Sequence, residues 1–333
     1  MITGKYPSLR LRRSRKNEWS RRLIEENTLS SSDFILPIFL IEGKNKKQKI
    51  KSMPGVYRYT IDKIDIIVSK AIKNKIPMVA LFPFTERKKK DIFGTEAFNE
   101  DNLVCKATRY IKKRYKNSIG IMCDVALDPY TSHGHDGLLK SNHVLNDETI
   151  QLLIKQSIIQ AQMGCDVIAP SDMMDGRIGS IRQTLEDNNQ KETIILSYSA
   201  KYSSGFYGPF RDAVGSKQNT GITKDTYQMD KKNLREALKE ANLDINEGAD
   251  ILMVKPGMPY LDVVKEISSN VSVPVFTYQV SGEYSMLQMG IDKKLFEHNV
   301  IPETLISFFR AGSTSVITYF AKWVAENYDN ISK

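Results

Sequence analysis

Two lysines carry the most chemistry in this sequence. Lys255 ends the run Ile-Leu-Met-Val-Lys and is followed by Pro256 and Gly257, so a charge sits at the tip of an apolar segment. Lys201 stands in Ser-Tyr-Ser-Ala-Lys-Tyr. A lysine is nucleophilic only when it has lost its proton, and burial or a second ammonium nearby lowers its pKa toward neutrality. Two lysines on adjacent strand tips would do both to each other, and the matching reaction is Schiff-base formation with a carbonyl substrate. The same residues also permit a plainer reading, in which both side chains reach out to solvent or bind a phosphate.

Other polar residues cluster at matching places. Asp124, Asp128 and the segment Thr131-Ser132-His133-Gly134-His135-Asp136 follow one apolar run. Ser171, Asp172, Asp175 and Arg177 follow the next, and Ser199 accompanies Lys201. Gln279 and Ser281 follow a later run, and Tyr319 ends the last. Asp124, Asp128 and Asp136 with His133 and His135 have the composition of a metal site, though hydrogen-bonded histidines fit equally well. The oxygen-rich set favours a hard cation such as Mg²⁺ over zinc, since Cys123 is the one thiol nearby.

These residues need a scaffold that brings them to one mouth. Short, β-rich, largely unalternating apolar runs occur at 34–41, 78–82, 119–125, 167–169, 194–197, 251–254, 275–278 and 315–319. Unalternating runs suit parallel strands buried on both faces. Helical spacing lies between them, as in Ile61, Ile64, Ile67, Val68, Ala71 and Ile72, or Leu152, Leu153, Ser157, Ile158 and Ala161. Asp147 and Asp172 read as helix N-caps, and Gly164, Gly248 and Gly312 as helix stops. Eight strand–helix alternations predict a (β/α)8 TIM barrel, whose active site lies at the C-terminal ends of the strands. A doubly wound open sheet is the alternative, but no glycine-rich nucleotide fingerprint follows the first strand.

The domain reading is an N-terminal arm over 1–33 and one catalytic barrel over 34–333. A polar, glycine-containing stretch at about 203–230 is too long for a simple connection and reads as an active-site lid. It holds Phe206, Tyr207, Phe210, Arg211, Lys217, Gly221, Lys224 and Gln228, and Arg211 and Lys224 suit a substrate carboxylate.

The 333-residue chain is 41% hydrophobic and 26% charged, an ordinary globular composition with no run long enough to span a membrane. Three scattered cysteines, Cys105, Cys123 and Cys165, argue for a reducing, cytoplasmic setting. The net charge of +9 is concentrated in the arm, at Lys5, Arg10, Arg12, Arg13, Arg15, Lys16, Arg21 and Arg22. Nucleic-acid binding is one reading of that arm. Docking on another subunit is preferred, because Leu9, Leu11, Trp19, Leu23 and Ile24 accompany the charge and no nucleic-acid motif does.

At this point the chain resembles the δ-aminolevulinic acid dehydratase (porphobilinogen synthase) family over nearly its whole length. The resemblance is carried by RLRR at 10–13, SMPGVYR at 52–58, DVALDPYTSHGHDG at 124–137, APSDMMDGRI at 169–178 and YSAKY at 198–202. It continues through YGPFRDA at 207–213, TYQMD at 226–230, VKPGMPYLD at 254–262, YQVSGEY at 278–284 and TYFAKW at 318–323. The resemblance implies a lyase that condenses two molecules of 5-aminolevulinate to porphobilinogen with loss of two waters, an early step of tetrapyrrole (haem) synthesis. It implies that Lys255 holds one substrate, whose carboxylate meets Ser281 and Tyr319. Lys201 would hold the other, whose carboxylate meets Arg211 and Lys224. Asp124 and Ser171 correspond to residues around the first substrate's amino group, Gln228 to a lid residue of the second site, and Phe210 belongs to the substrate site. Many members have Arg where Lys224 stands, so the charge is kept and the bidentate fork is lost. Zinc-using members carry three cysteines where this chain has Ala126, Asp128 and Asp136, so no catalytic zinc is expected. The chain looks like the Asp-containing, magnesium-responsive branch, with an allosteric Mg²⁺ at Glu240. Asp128 and Asp136 remain candidates for a cation, including a monovalent one. The family's arm wraps a neighbouring barrel, and dimers build a homo-octamer. Another Schiff-base barrel enzyme, such as a class I aldolase, is the alternative function and would need one essential lysine.

Overall fold

The computed structural model describes residues 4–216 and 222–331. Lys217 and Gly221 of the 203–230 stretch lie outside the described residues. Eight parallel strands form the centre: β1 Phe34–Ile41, β2 Met78–Phe84, β3 Gly120–Val125, β4 Val167–Pro170, β5 Ile194–Lys201, β6 Ile251–Lys255, β7 Val275–Tyr278 and β8 Ser315–Ile317. Each pairs with the next, and β8 returns to β1 through Phe34↔Val316 and Ile35↔Ile317, closing the barrel. The eight expected runs are all present and the (β/α)8 architecture follows.

The strands read as continuous apolar runs because both of their faces are covered. All of β1 from Phe34 to Leu40 is buried, as is all of β4 and of β8. Side chains fill the inside and helices cover the outside, among them Asp65–Lys73, Leu103–Tyr115, Asn146–Gln162, Arg177–Asp187, Arg235–Asn246, Leu261–Asn270 and Val300–Arg310. Each fully buried aliphatic or aromatic side chain stabilises this shell by about 1.5–3 kcal/mol. Gly164 and Gly312 take φ of +96° and +107° at the ends of their helices, the left-handed stop that a side chain would strain.

Several boundaries differ from expectation. Strand β5 runs on to Lys201, so Lys201 is part of the strand rather than of the loop after it. Strand β8 stops at Ile317, which leaves Tyr319 just beyond it. Asp147 lies inside the first turn of Asn146–Gln162, where its charge complements the helix dipole without capping. Asp172 caps no helix. The helix Arg177–Asp187 starts after Gly176, and Asp172 turns inward on Arg177, 3.5 Å away. Two antiparallel additions frame the mouth: Lys47–Lys49 with Tyr57–Tyr59, the latter also parallel to β1, and Leu138–Lys140 with His143–Leu145.

The described N-terminal residues carry a short α-helix, Glu18–Leu23, and two 3-10 turns, Leu11–Arg13 and Ser31–Asp33. In the single chain Leu11, Trp19 and Leu23 are 67%, 62% and 76% exposed, so these side chains are not packed on their own barrel. Among the described residues no helix is long and apolar enough to cross a membrane.

Candidate active site

The closing register of β5 on β6 decides the site. Lys255 pairs directly with Lys201, so the two lysines are strand neighbours at the C-terminal mouth. Both are buried, at 6% and 5% exposure. Their surroundings differ sharply.

Lys255 faces a cage of rings. Its Nζ lies 4.7 Å from the ring centre of Tyr278, 4.9 Å from Tyr198, 5.2 Å from Phe210 and 5.5 Å from Tyr207. Burial first, and the Lys201 ammonium second, push its pKa down to about 7 against the pull of Asp124, Asp128 and Asp136. A large share of Lys255 is therefore neutral near neutral pH, as a nucleophilic amine requires.

Lys201 is held by charge instead. Its Nζ donates to Asp136 Oδ1 at 3.3 Å and to the Ser171 carbonyl oxygen. Burial acts to lower its pKa, but Asp136, Asp128, Asp124 and Asp172 together outweigh burial and raise it. The expectation that each lysine depresses the other therefore holds for Lys255 and fails for Lys201. The reason is Asp136, which reaches the site from the loop after β3.

Asp136 is 1% exposed and surrounded by donors. Besides Lys201 it accepts from Lys224 at 2.8 Å, from the Tyr227 hydroxyl at 2.8 Å and from Gln228 at 3.5 Å. Burial alone would raise its pKa, but Lys201 and Lys224 hold it well below the usual carboxylate range. Asp124 goes the other way: burial raises it to about 6, opposed by Lys255 and Lys201. Asp128 is also raised by burial, with Lys224 opposing.

The remaining residues converge on the same mouth. Arg211, Lys224, Gln228, Phe210 and Ser171 line one cavity with both lysines and the three aspartates. Ser281 Oγ accepts from the Phe210 backbone N–H at 2.8 Å, and the Tyr319 hydroxyl shares a 2.9 Å hydrogen bond with Tyr278. The helix Gly208–Val214, which carries Phe210 and Arg211, is tied down from the other side. Arg58 donates to the carbonyls of Asp212 and Ala213, both at 2.7 Å, so a buried cation satisfies the helix's last acceptors. Gly215 then turns at φ +69° against the Phe84 ring, where a Cβ would come within 2.9 Å.

The histidines serve the loop that delivers Asp136. His135 Nδ1 meets the Tyr227 hydroxyl at 3.2 Å, and its pKa is lowered to about 4 by burial and then by Lys224. Glu240 lies elsewhere, on the helix Arg235–Asn246, facing a separate acidic cavity of about 450 Å³ with Asp175, Asp225, Asp230 and Glu236. Gln228 lines both cavities. Among the described residues no three His, Cys, Asp or Glu side chains are grouped to hold a metal ion.

Reasoning from sequence missed the ring cage around Lys255, Tyr227 beneath Asp136, and Arg58. Tyr198, Tyr227 and Tyr278 sit inside segments singled out for other residues, and Tyr207 was noted only as part of the lid stretch. Glu283 was also missed. It is fully buried and accepts from the backbone N–H of Val280 at 2.5 Å, of Gly257 at 3.4 Å and of Met258. It thereby ties the turn after Lys255 to the helix that starts at Ser281.

Comparison with known proteins gives a consistent picture. A family model described as delta-aminolevulinic acid dehydratase matches residues 8–327. The delta-aminolevulinic acid dehydratase of Bradyrhizobium diazoefficiens is 51% identical over 320 residues, covering 96% of this chain and 90% of that protein. That of Methanothermus sociabilis is 46% identical, covering 97% and 99%. A crystal structure of delta-aminolevulinic acid dehydratase (porphobilinogen synthase) from Toxoplasma gondii, in complex with the reaction product porphobilinogen, superposes with a TM-score of 0.93. It is 42% identical and covers 96% of this chain and 91% of its own.

Proposed function

The chain belongs to the delta-aminolevulinic acid dehydratase family, and from that premise we propose that its two register-paired lysines condense two molecules of 5-aminolevulinate to porphobilinogen. The observation that carries the reading is the asymmetric pair itself, one buried amine near neutrality beside one buried ammonium.

Lys255 reacts first, because it already has a neutral fraction. Its Nζ forms a bond to the ketone carbon, the C=O π pair moves to oxygen, and the carbinolamine loses that oxygen as water to leave a Schiff base. Lys201 must shed its proton before it can do the same, which makes it the second site. A carbon–carbon bond between the substrates and a carbon–nitrogen bond that closes the ring then release both lysines. The two waters lost carry the two ketone oxygens. Ser281 and Tyr319 bind the carboxylate of the substrate on Lys255, and Asp124 with Ser171 face its amino group. Arg211 and Lys224 bind the carboxylate on the Lys201 side. There the incoming carboxylate takes over from Asp136, which occupies Lys224 when no substrate is present. Phe210, Arg211, Lys224 and Gln228, all from the 203–230 segment, line the cavity that holds both lysines. The 203–230 segment therefore acts as a lid, with Phe210 and Gln228 on its inner side.

Magnesium belongs at Glu240 in this reading. Its carboxyl pKa is raised by burial and by Asp244 and Asp175, so a divalent cation there relieves a crowd of negative charge. One carboxylate plus retained waters suits Mg²⁺. Bound there, Mg²⁺ would supply charge neutralisation away from the lysines, the chemistry of an allosteric activator. Asp136 does not suit a cation, divalent or monovalent, because two ammoniums already supply positive charge to it. The exposed apolar side chains of the arm at 1–33 support docking on a second copy and assembly of dimers into an octamer. Three free, buried cysteines are consistent with work in the cytoplasm.

The test is porphobilinogen formation from 5-aminolevulinate by chelator-treated protein with Mg²⁺ or Zn²⁺ restored. Product that rises with Mg²⁺ and ignores Zn²⁺ is the expected result. Product only with Zn²⁺ would overturn the metal assignment, and no product under any condition would overturn the reaction.

A further inference from the structure

One group in the ring cage is not accounted for. Of the tyrosines around Lys255, Tyr278 shares its hydroxyl with Tyr319, and Tyr207 donates to the carbonyls of Tyr202 at 2.8 Å and Lys255 at 3.2 Å. The hydroxyl of Tyr198 is fully buried and has no hydrogen-bond partner among the described residues. Leaving a buried hydroxyl unsatisfied costs about 1–3 kcal/mol, a cost that persists where a ligand repays it.

The backbone also decides which face of β5 carries Tyr198. A regular strand would turn residues 198 and 201 to opposite faces. Here Leu252 pairs with Ser197 and Val254 with Ala200, so two steps on β6 face three on β5. That bulge brings Tyr198 to the same side as Lys201, with its ring 4.9 Å from Lys255 Nζ. Its backbone is fixed as well, because its carbonyl accepts from the buried Arg177 at 3.4 Å.

We propose that Tyr198 is a further catalytic residue, whose phenol donates a hydrogen bond to the ketone oxygen of the substrate on Lys255 as that oxygen leaves as water. This rests on the Schiff-base reading above. Burial keeps the phenol protonated, so it is a fixed donor and not a base. Both protons of the departing water come from the lysine amine, and Tyr198 begins and ends the step with its own.

The experiment is Tyr198→Phe, which keeps the ring and removes the donor. Steady-state turnover should fall at least ten-fold with KM within three-fold. The rate of cyanoborohydride trapping of 5-aminolevulinate on Lys255 should fall in parallel, with no loss of thermal stability. A kcat within two-fold of the unmodified enzyme would overturn the proposal, as would a turnover loss with an unchanged trapping rate. An unmodified enzyme that yields no adduct on Lys255 would overturn the Schiff-base reading itself, and this inference with it.

Discussion

Replacing Lys201 by Met removes the ammonium beside Lys255 while keeping most of the side-chain volume. Lys255 titrates at about 7 because burial and Lys201 both disfavour its charged form. Adjacent strands lie ~4.8 Å apart. Two unit charges at ~5 Å in a medium of effective dielectric ~20 repel by ~3 kcal/mol, which is about two pH units. Removing Lys201 also leaves Asp136 less neutralised, since Lys224 alone then pairs with it. Both effects favour the Lys255 ammonium, so its pKa rises. The assay is the rate at which cyanoborohydride traps 5-aminolevulinate on Lys255 across pH, read by peptide mass. In the unmodified enzyme trapping should reach half its maximum near pH 7. In Lys201→Met the midpoint should move alkaline by about two units, with the plateau rate retained. An unmoved midpoint, or one shifted to lower pH, would refute the electrostatic coupling of the two lysines.

Lys255→Ala should reduce porphobilinogen formation by at least about a thousand-fold. Lys255→Arg should be no better, because guanidinium is not nucleophilic. Measurable turnover in either, at a few per cent or more, would exclude Lys255 as the nucleophile. Asp136→Asn leaves two buried ammoniums without their anion and should lower unfolding stability by about 3–5 kcal/mol in denaturant titration. A loss below about 1 kcal/mol would show that Asp136 is not the charge that holds Lys201 and Lys224. Lys224→Met should raise KM for 5-aminolevulinate far more than it lowers kcat, while Lys224→Arg should restore KM through its bidentate fork. Equal losses in the two variants would remove Lys224 from substrate binding.

The barrel was legible because its strands are apolar on both faces, so each of the eight runs stood out from the helical spacing around it. The mouth was legible for a related reason: a charge at the end of Ile-Leu-Met-Val-Lys has to be at a strand tip. Less local features were not. The asymmetry between the lysines depends on Asp136, which comes from a different loop and is fixed there by Lys224 and Tyr227. Nothing near Lys201 in sequence announces that partner. Tyr198 was hidden by the bulge in β5, since strict alternation sends it away from Lys201. Asp172 looked like a cap because it precedes a helix by a few residues, yet the buried Arg177 draws it inward. Leu11, Trp19 and Leu23 are exposed in the single chain, so their docking on another subunit stays an expectation drawn from the sequence.

The most direct test of the account is to trap the protein with 5-aminolevulinate under reducing conditions, map the modified peptide and assay porphobilinogen in parallel. The account predicts an adduct on Lys255 at low substrate, product in the untreated control, and loss of product in proportion to Lys255 modified. Product formation that survives full modification of Lys255, or an adduct confined to Lys201, would contradict it.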